Sequence, residues 1–215
     1  MTFSIADIPD QTEKVAIVTG GTAGLGLASV ISLARKGCPV IFIARSTARG
    51  EETLKKVSAA LSPATFNVEC GVADNEDLDS IVAFANSFLA RKLPLHILLL
   101  NAGLGTQPFR LIHGVESTLF VNHVAHQLLA TRLLPVLETS APSRLVIVSS
   151  VAHTFADTLN LNLTDPKAHH SLRAYGTSKL ANIMMGHGLL KRINSANVFV
   201  NSVHPGEVST EITPI

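Results

Sequence analysis

The sequence contains no tryptophan, one tyrosine and only two cysteines among 215 residues. Cys38 and Cys70 are too few for a disulfide framework or for a zinc site built from thiolates. Charge is scarce as well, since 15% of the residues are charged and the net charge is only +1. A nearly neutral chain has no electrostatic basis for binding nucleic acid or an anionic membrane surface. We therefore expect neither of these partners.

Long apolar runs are also missing. No stretch reaches the roughly 18 uninterrupted apolar residues that a membrane-spanning helix needs. The first ten residues, MTFSIADIPD, contain two acids and are not typical of a secretory signal. With so few cysteines, these features predict a soluble protein of the reducing cytoplasm. A hydrophobic content of 47% is enough to build a core, and the length predicts one domain over 1–215 with a leader at 1–13.

Apolar runs alternate with segments of helical periodicity along the chain. The apolar runs predict buried strands at 14–19, 39–44, 65–70, 95–100, 144–149 and 197–203. The segments between them predict helices at 25–36, 47–61, 77–90, 116–137 and 172–193. Apolar strands joined by helices form a parallel sheet that is covered on both faces. The sequence thus predicts a doubly wound, three-layer α/β/α fold with six strands, and one long irregular loop at 151–171 that is typical of a functional segment.

A glycine-rich turn follows the first predicted strand and opens the first predicted helix. Residues 19–26 read TGGTAGLG. Gly20 allows a tight turn, Gly24 lets the backbone approach a pyrophosphate, and Gly26 lets helix and strand touch. The N-terminus of the helix adds amide donors for phosphate oxygens. These features predict a dinucleotide site, and the alternative is a glycine-rich turn that holds no ligand.

The spacing TGxxxGxG resembles that of the short-chain dehydrogenase/reductase family, and the resemblance extends over residues 14–210. Other landmarks of the family follow in order: NAG at 101–103, Asn122, Ser150, YGTSK at 175–179 and PG at 205–206. The resemblance implies a Rossmann-type fold that binds NAD(P). It assigns cofactor contacts to Gly20, Thr22, Ala23, Gly24, Leu25, Gly26, Val72, Asn101, Ala102, Gly103, Tyr175, Lys179, Pro205, Gly206, Val208 and Thr210.

The end of the second predicted strand indicates which nucleotide binds. An NAD site generally places a carboxylate there for the ribose hydroxyls, whereas an NADP site needs a cation for the 2′-phosphate. This chain has Arg45, which can make a charge-assisted contact with that phosphate. We expect NADP(H), with NAD(H) as the less favoured alternative; Arg45 could instead only head the solvated face of the next helix. Where the family usually has an aspartate for the adenine, this chain has Gly71, so a backbone contact from Val72 is expected in its place.

Tyr175 and Lys179 are four residues apart in a predicted helix and therefore share one of its faces. A cation about 4 Å from a phenol, at an effective dielectric near 20, stabilises the phenolate by about 4 kcal/mol. Such a phenol suits proton transfer to or from an alcohol or carbonyl. The resemblance implies that Tyr175 transfers the proton while Lys179 stabilises the phenolate and holds the nicotinamide ribose. It also implies that Ser150 bonds the substrate oxygen and that Asn122 holds a water linking Lys179 to solvent.

Two of these residues have alternatives. Ser149 is the neighbour that a shift of one position would implicate in place of Ser150, and Asn122 could simply bond a nearby carbonyl. The function predicted is an NADP(H)-dependent oxidoreductase that interconverts a hydrophobic alcohol and its aldehyde or ketone by hydride transfer. The alternative is a catalytically weak or inactive NADP(H)-binding protein that acts as a sensor or as the partner of a complete homologue.

The interval between Ser150 and Tyr175 is about twice the family's usual one. With this insertion the chain resembles the retinol dehydrogenase-like and ketoreductase branch, which implies a hydrophobic substrate and a substrate-side loop at 151–171. Family members continue for several tens of residues past the Pro-Gly turn, so we expect either a truncated chain or a divergent member of the family, without the family's seventh strand. The family also implies a homodimer. The histidines at 123, 126, 169 and 170 lack accompanying acids or thiols, so no metal site is expected.

Overall fold

The computed structural model describes residues 4–63, 66–156 and 158–206. Its strands are β1 (Ala16–Thr19), β2 (Val40–Ala44), β3 (Val68–Val72), β4 (Ile97–Leu100), β5 (Leu111–Ile112), β6 (Val115–Glu116), β7 (Ser143–Val148) and β8 (Val198–Val203). Its helices are α1 (Gly24–Arg35), α2 (Thr47–Ala60), α3 (Leu78–Ala90), α4 (Ser117–Leu119), α5 (Ala125–Thr139) and α6 (Ser171–Leu190).

Six of the strands form one parallel sheet in the order β3-β2-β1-β4-β7-β8. The chain winds outward from β1 in one direction and then, from β4 onward, in the other. A crevice therefore opens at the carboxyl ends of β1 and β4, where ligands bind in folds of this kind. The predicted Rossmann-type fold with six parallel strands is confirmed.

The two faces of the sheet have separate cores. On one face α1 and α2 cover β1, β2 and β3 through a cluster that includes Val18, Val30, Phe42 and Val57. On the other face α3, α5 and α6 pack on the sheet through a larger apolar cluster. Continuous apolar strands arise because both faces are buried. The β8 edge is more open, and Phe199 there is 46% exposed beneath the Arg144 guanidinium.

The helix predicted at 116–137 does not begin at Glu116 and is not one continuous α-helix. Glu116 belongs to the short hairpin β5–β6, whose turn residues His113 and Gly114 both have positive φ (48° and 79°), as a two-residue turn of type I′ requires. A π-helical stretch, Phe120–Val124, then separates α4 from α5. The loop expected at 151–171 likewise begins with a 3₁₀ helix, Val151–Phe155.

The remaining boundaries are shifted by a few residues at most. The third strand lies at Val68–Val72 rather than 65–70, because it pairs in register with Val40–Ala44 of the neighbouring strand. The expected leader contains a short 3₁₀ helix, Ile5–Asp7. Within the described ranges, none of the helices is long and apolar enough to cross a membrane.

Candidate active site

The glycine turn between β1 and α1 is built for close approach. Gly20 has φ +63°, and a Cβ atom there would lie 2.8 Å from the Ala102 Cα. A Cβ at Gly26 would collide with the Gly20 carbonyl oxygen. Helix α1 then starts at Gly24, and its N-cap residue Ala23 makes no side-chain capping bond. The first amides of α1 are therefore free of a capping side chain, as an anion site requires.

The Thr19 hydroxyl attaches the end of β4 to this turn. Its Oγ1 accepts the amide N–H of Asn101 at 2.8 Å and that of Ala102 at 3.0 Å. The Asn101 side chain returns the contact, since Nδ2 donates to the carbonyl oxygens of Thr19 (3.1 Å) and Gly20 (3.3 Å). The strand ends on either side of the crevice are thus held together by a network that needs no ligand.

Lys179 lies on α6 and reaches back to the end of β7. Its side chain is buried, with the residue only 4% exposed, and its Nζ donates to the Val148 carbonyl at 3.2 Å. The same Nζ is 5.5 Å from the centroid of the half-buried Tyr175 ring. Burial lowers the pKa of Lys179 to about 8. Asn182 shares the Val148 oxygen, donating from Nδ2 at 3.3 Å, and thereby fixes the carbonyl that holds the lysine.

Asn122 lies in the π-helical stretch and is fully buried. Its amide pairs reciprocally with the Leu104 backbone: Oδ1 accepts from the N–H at 2.7 Å and Nδ2 donates to the carbonyl at 2.9 Å. Nδ2 also donates to Ser178 Oγ at 3.0 Å. A Cβ atom at Gly103 would lie 3.0 Å from Asn122 Oδ1 and 3.6 Å from Lys179 Nζ. Asn122, Gly103 and Lys179 therefore meet at one point of the crevice.

The two adjacent serines after β7 have different surroundings. Ser149 is buried and its hydroxyl donates to the Lys179 main-chain carbonyl at 2.8 Å. Ser150 is half-buried and caps the 3₁₀ helix, with Oγ accepting from the Ala152 amide at 3.2 Å. That contact leaves the O–H of Ser150 available as a donor, because a hydroxyl can accept and donate at once.

At the other end of the crevice, Arg45 follows β2 with an exposed side chain, and Val72 is 46% exposed at the end of β3. A Cβ atom at Gly71 would collide with the Phe84 ring, so glycine stands there for a packing reason. Two residues that sequence reasoning overlooked lie nearby: Glu76 and Arg110 form a bidentate ion pair, at 2.7 and 2.9 Å. Arg110 lowers the pKa of Glu76, and Arg45 contributes to the same shift.

The remaining predicted contacts fall into three groups. Thr22 and Leu25 are half-buried in the glycine turn, and Pro205 and Gly206 lie exposed just after β8. Val208 and Thr210 lie outside the described residues. The structure thus brings the glycine turn, residues 101–103, Asn122, Tyr175 and Lys179 to one crevice.

His126 is the main buried residue that sequence reasoning passed over as ordinary. It is 1% exposed, with ring nitrogens 3.0 Å from Thr19 Oγ1 and 3.1 Å from the Asn122 carbonyl oxygen. Burial is the main cause that lowers the pKa of His126 to about 3. The only signal for its place was its spacing of one helical turn from Asn122.

A parallel sheet whose carboxyl ends carry a glycine turn, an asparagine and a Tyr-Lys pair defines a dinucleotide-binding class of proteins. A family model described as short chain dehydrogenase matches residues 14–214. Retinol dehydrogenase 11 of Mus musculus is 39% identical over 201 residues, which are 93% of this chain and 63% of that protein. The chain therefore belongs to the short-chain dehydrogenase family and is retinol dehydrogenase-like.

Solved structures share this fold. A protein from Mycobacterium Paratuberculosis superimposes with a TM-score of 0.79 at 31% identity, covering 96% of this chain and 73% of that one. A short-chain dehydrogenase from Sphingobium yanoikuyae, solved with NADPH, has the same fold, with a TM-score of 0.74 at 22% identity and coverage of 93% and 73%. The chain spans 50% to 66% of the length of the first curated relatives it matches.

Proposed function

We propose that the chain is an NADP(H)-dependent oxidoreductase that interconverts a hydrophobic alcohol and its aldehyde or ketone. The observation that carries the proposal is the buried ammonium of Lys179, 5.5 Å from the Tyr175 ring and beside Gly103 in the crevice. A buried cation is costly even when a carbonyl oxygen accepts from it, and such groups are concentrated at functional sites. Here the cation faces the one tyrosine of the chain.

The crevice fits a nicotinamide dinucleotide. A Cβ atom at Gly20 would clash with Ala102, so the glycine turn lies directly against the end of β4, and the uncapped start of α1 offers amides to a pyrophosphate. In this proposal Gly20, Thr22, Ala23, Gly24, Leu25 and Gly26 hold the phosphates, and Asn101, Ala102 and Gly103 border the nicotinamide half. The roles of Pro205, Gly206, Val208 and Thr210 are carried over from the family pattern. When bound, the nicotinamide ring gives or takes the hydride.

The residues of the chain would transfer the proton that accompanies the hydride. In the reducing direction, the Tyr175 hydroxyl donates its proton to the carbonyl oxygen of the substrate, and Lys179 stabilises the phenolate that remains. The free O–H of Ser150 donates a hydrogen bond to the same substrate oxygen and orients it. Both Nδ2 hydrogens of Asn122 are donated to Leu104 and Ser178, so the second lone pair of its Oδ1 would hold the water that returns a proton from solvent toward Lys179. In the oxidising direction each transfer is reversed.

The preference for NADP(H) rests on Arg45. Its guanidinium is exposed at the end of β2, where the 2′-phosphate of a bound dinucleotide would lie. One acid in this neighbourhood, Glu76, is occupied by two hydrogen bonds from Arg110. Arg45 is therefore available for the phosphate, and a backbone contact at Val72 completes the adenine side. A site for NAD(H) would instead need a carboxylate directed at the ribose.

The substrate class rests on the loop that follows Ser150. Val151 and Phe155 of its 3₁₀ helix are 53% and 52% exposed. They place apolar surface beside the candidate catalytic serine, and this favours a hydrophobic alcohol or carbonyl. The similarity to retinol dehydrogenase 11 supports the same class.

We also propose that the chain forms a homodimer and is located in the cytoplasm. A homodimer would use the α5 and α6 face, where Met184 of α6 is 47% exposed and Leu161 of the loop before α6 is 51% exposed. Cytoplasmic location is proposed from the free thiols of Cys38 and Cys70.

Fluorescence of NADPH tests the proposal. We expect the chain to bind NADPH and to oxidise it with at least one member of a panel of hydrophobic aldehydes and ketones. Tyr175→Phe should bind NADPH as tightly but lose turnover by about a thousandfold, because it keeps the ring and removes the proton donor. Binding without turnover on any panel member would instead support the inactive NADP(H)-binding alternative.

A further inference from the structure

His126 connects the end of β1 to the π-helical stretch that contains Asn122. The imidazole is buried at the start of α5, between the end of β1 and the π-helical stretch. One ring nitrogen, Nδ1, is 3.1 Å from the Asn122 main-chain oxygen. The other, Nε2, is 3.0 Å from Thr19 Oγ1. No role in the proposed reaction has yet been assigned to this group.

The partners determine which nitrogen carries the proton. A carbonyl oxygen only accepts, so Nδ1 must donate to Asn122. A neutral imidazole then has a lone pair on Nε2, and the Thr19 hydroxyl donates to it. This agrees with the other contacts of Thr19, whose oxygen accepts the two amides of Asn101 and Ala102. A hydroxyl has one donor and two acceptor positions, and these three contacts use all of them.

We propose that His126, as a neutral imidazole protonated on Nδ1, is a positioning residue that holds the Asn122 segment in register with the glycine turn. The inference rests on the proposed function and assigns a further residue to its site. His126 touches neither substrate nor cofactor, and it acts through the Asn122 carbonyl on one side and the Thr19 hydroxyl on the other.

The two bonds of the imidazole differ in how replaceable they are. Without His126, the Thr19 hydroxyl still has the Leu99 carbonyl at 3.4 Å as an acceptor. On the Asn122 main-chain oxygen, His126 is the side-chain donor that the structure shows. The Asn122 side chain in turn anchors Leu104 and Ser178, beside Lys179. The bond from Nδ1 should therefore matter more for turnover than the bond to Nε2.

Histidine NMR tests the proton assignment without any enzymatic activity. In protein labelled with ¹⁵N-histidine, the His126 signals are identified by their absence from His126→Asn. We expect a neutral ring protonated on Nδ1 throughout about pH 5 to 9, because burial opposes the charged form. A ring protonated on Nε2, or one that titrates in this range, would overturn the proposal.

Substitutions test the positioning role. Asparagine can place an N–H where Nδ1 lies, whereas glutamine can place an acceptor only where Nε2 lies. We expect His126→Leu and His126→Gln to lower kcat for carbonyl reduction by about thirtyfold while KM for NADPH changes less than threefold. His126→Asn should recover kcat to within about fivefold of the original chain. His187→Leu, at an exposed histidine of α6, is the matched control and should change neither constant.

Equal losses in the leucine and asparagine variants would show that His126 only fills space, and unchanged kcat in His126→Leu would show that it positions nothing. Thermal unfolding of each variant separates these results from loss of the fold. If the original chain binds NADPH but turns nothing over, the proposed function fails while the NMR result still decides the state of His126.

Discussion

The Glu76 carboxylate accepts two hydrogen bonds from the Arg110 guanidinium, at 2.7 and 2.9 Å. The pair joins the loop after β3 to the loop that precedes the β5–β6 hairpin. Both Arg110 and Arg45 lower the pKa of Glu76, with Arg110 contributing more. Glu76 therefore lies within the electrostatic reach of two arginines, and its bond to one of them leaves the other for an anion.

Arg110→Gln should weaken the selectivity for NADPH. Without the guanidinium of Arg110, the Glu76 carboxylate is free to pair with Arg45 and to repel a 2′-phosphate. We expect KM for NADPH to rise about threefold to tenfold, while KM for NADH stays within twofold. Steady-state kinetics with both cofactors at constant ionic strength measures the change, since exposed charges are screened by salt.

The double variant Glu76→Gln, Arg110→Gln is the decisive control for that selectivity. It removes the freed carboxylate, so KM for NADPH should return close to its original value. Arg91→Gln breaks a similar exposed bidentate pair, with Glu69, and should leave both cofactors unaffected. A rise in KM that persists in the double variant would mean that Arg110 acts on NADPH in some other way.

The buried Lys179 predicts how stability depends on pH. Its pKa falls from an ordinary 10.5 to about 8 in the folded, cofactor-free chain, because burial disfavours the ammonium. Between these values the unfolded chain binds more protons than the folded one, so the free energy of unfolding rises with pH. Below about pH 8 both states hold the proton, and the residue contributes no slope. Denaturant unfolding between pH 7 and pH 10 should show this rise.

Lys179→Met should remove that rise in stability. The thioether fills similar space without a charge, so unfolding at pH 7 should cost up to about 3 kcal/mol more than in the original chain. Turnover should nevertheless be lost, since the phenolate loses its cation. Lys167→Met, at an exposed lysine of the loop before α6, should leave the slope intact. A slope that survives Lys179→Met would assign the pH dependence to another group.

The two serines after β7 should have separable effects. Ser149→Ala removes a buried hydrogen bond to the Lys179 carbonyl and should lower the free energy of unfolding by about 1 kcal/mol, with less than a tenfold change in kcat. Ser150→Ala should lower kcat by about a hundredfold with a smaller change in stability, because Ser150 is only half-buried. The reverse pattern would move the substrate contact to Ser149.

The order of strands and helices was predictable because the strands are apolar runs, buried along their whole length in β1 and β2, and segments of helical periodicity separate them. The glycine turn was predictable for a related reason. A strand, a turn and a helix in direct succession leave one place for the phosphates, and Gly20 and Gly26 lie where side chains would collide.

Other features depend on contacts between distant residues and left no local pattern. The Val121 carbonyl in the π-helical stretch accepts a hydrogen bond from the Asn75 side chain at 3.0 Å, from a loop far away in sequence. The His126 imidazole likewise bonds Thr19 at the end of β1, which lies 107 residues earlier in the chain. The short hairpin was missed because two-residue strands have no measurable alternation.

Gly26→Ala should separate glycines that the site needs from glycines that it does not. A Cβ atom at Gly26 would collide with the Gly20 carbonyl and lie 2.6 Å from Asn101 Nδ2, and both groups belong to a network with little freedom to move. We expect unfolding to become easier by about 2 kcal/mol or more, and the Kd for NADPH to rise at least tenfold. Gly188→Ala is the matched control in α6, where a Cβ atom would meet nothing within 4 Å. It should stabilise the chain by up to about 1 kcal/mol through helix propensity alone, and leave NADPH binding unchanged. Equal effects of the two alanines on stability and on NADPH titrations would show that the turn between β1 and α1 tolerates a side chain, and the phosphate-binding role assigned to it would then be wrong.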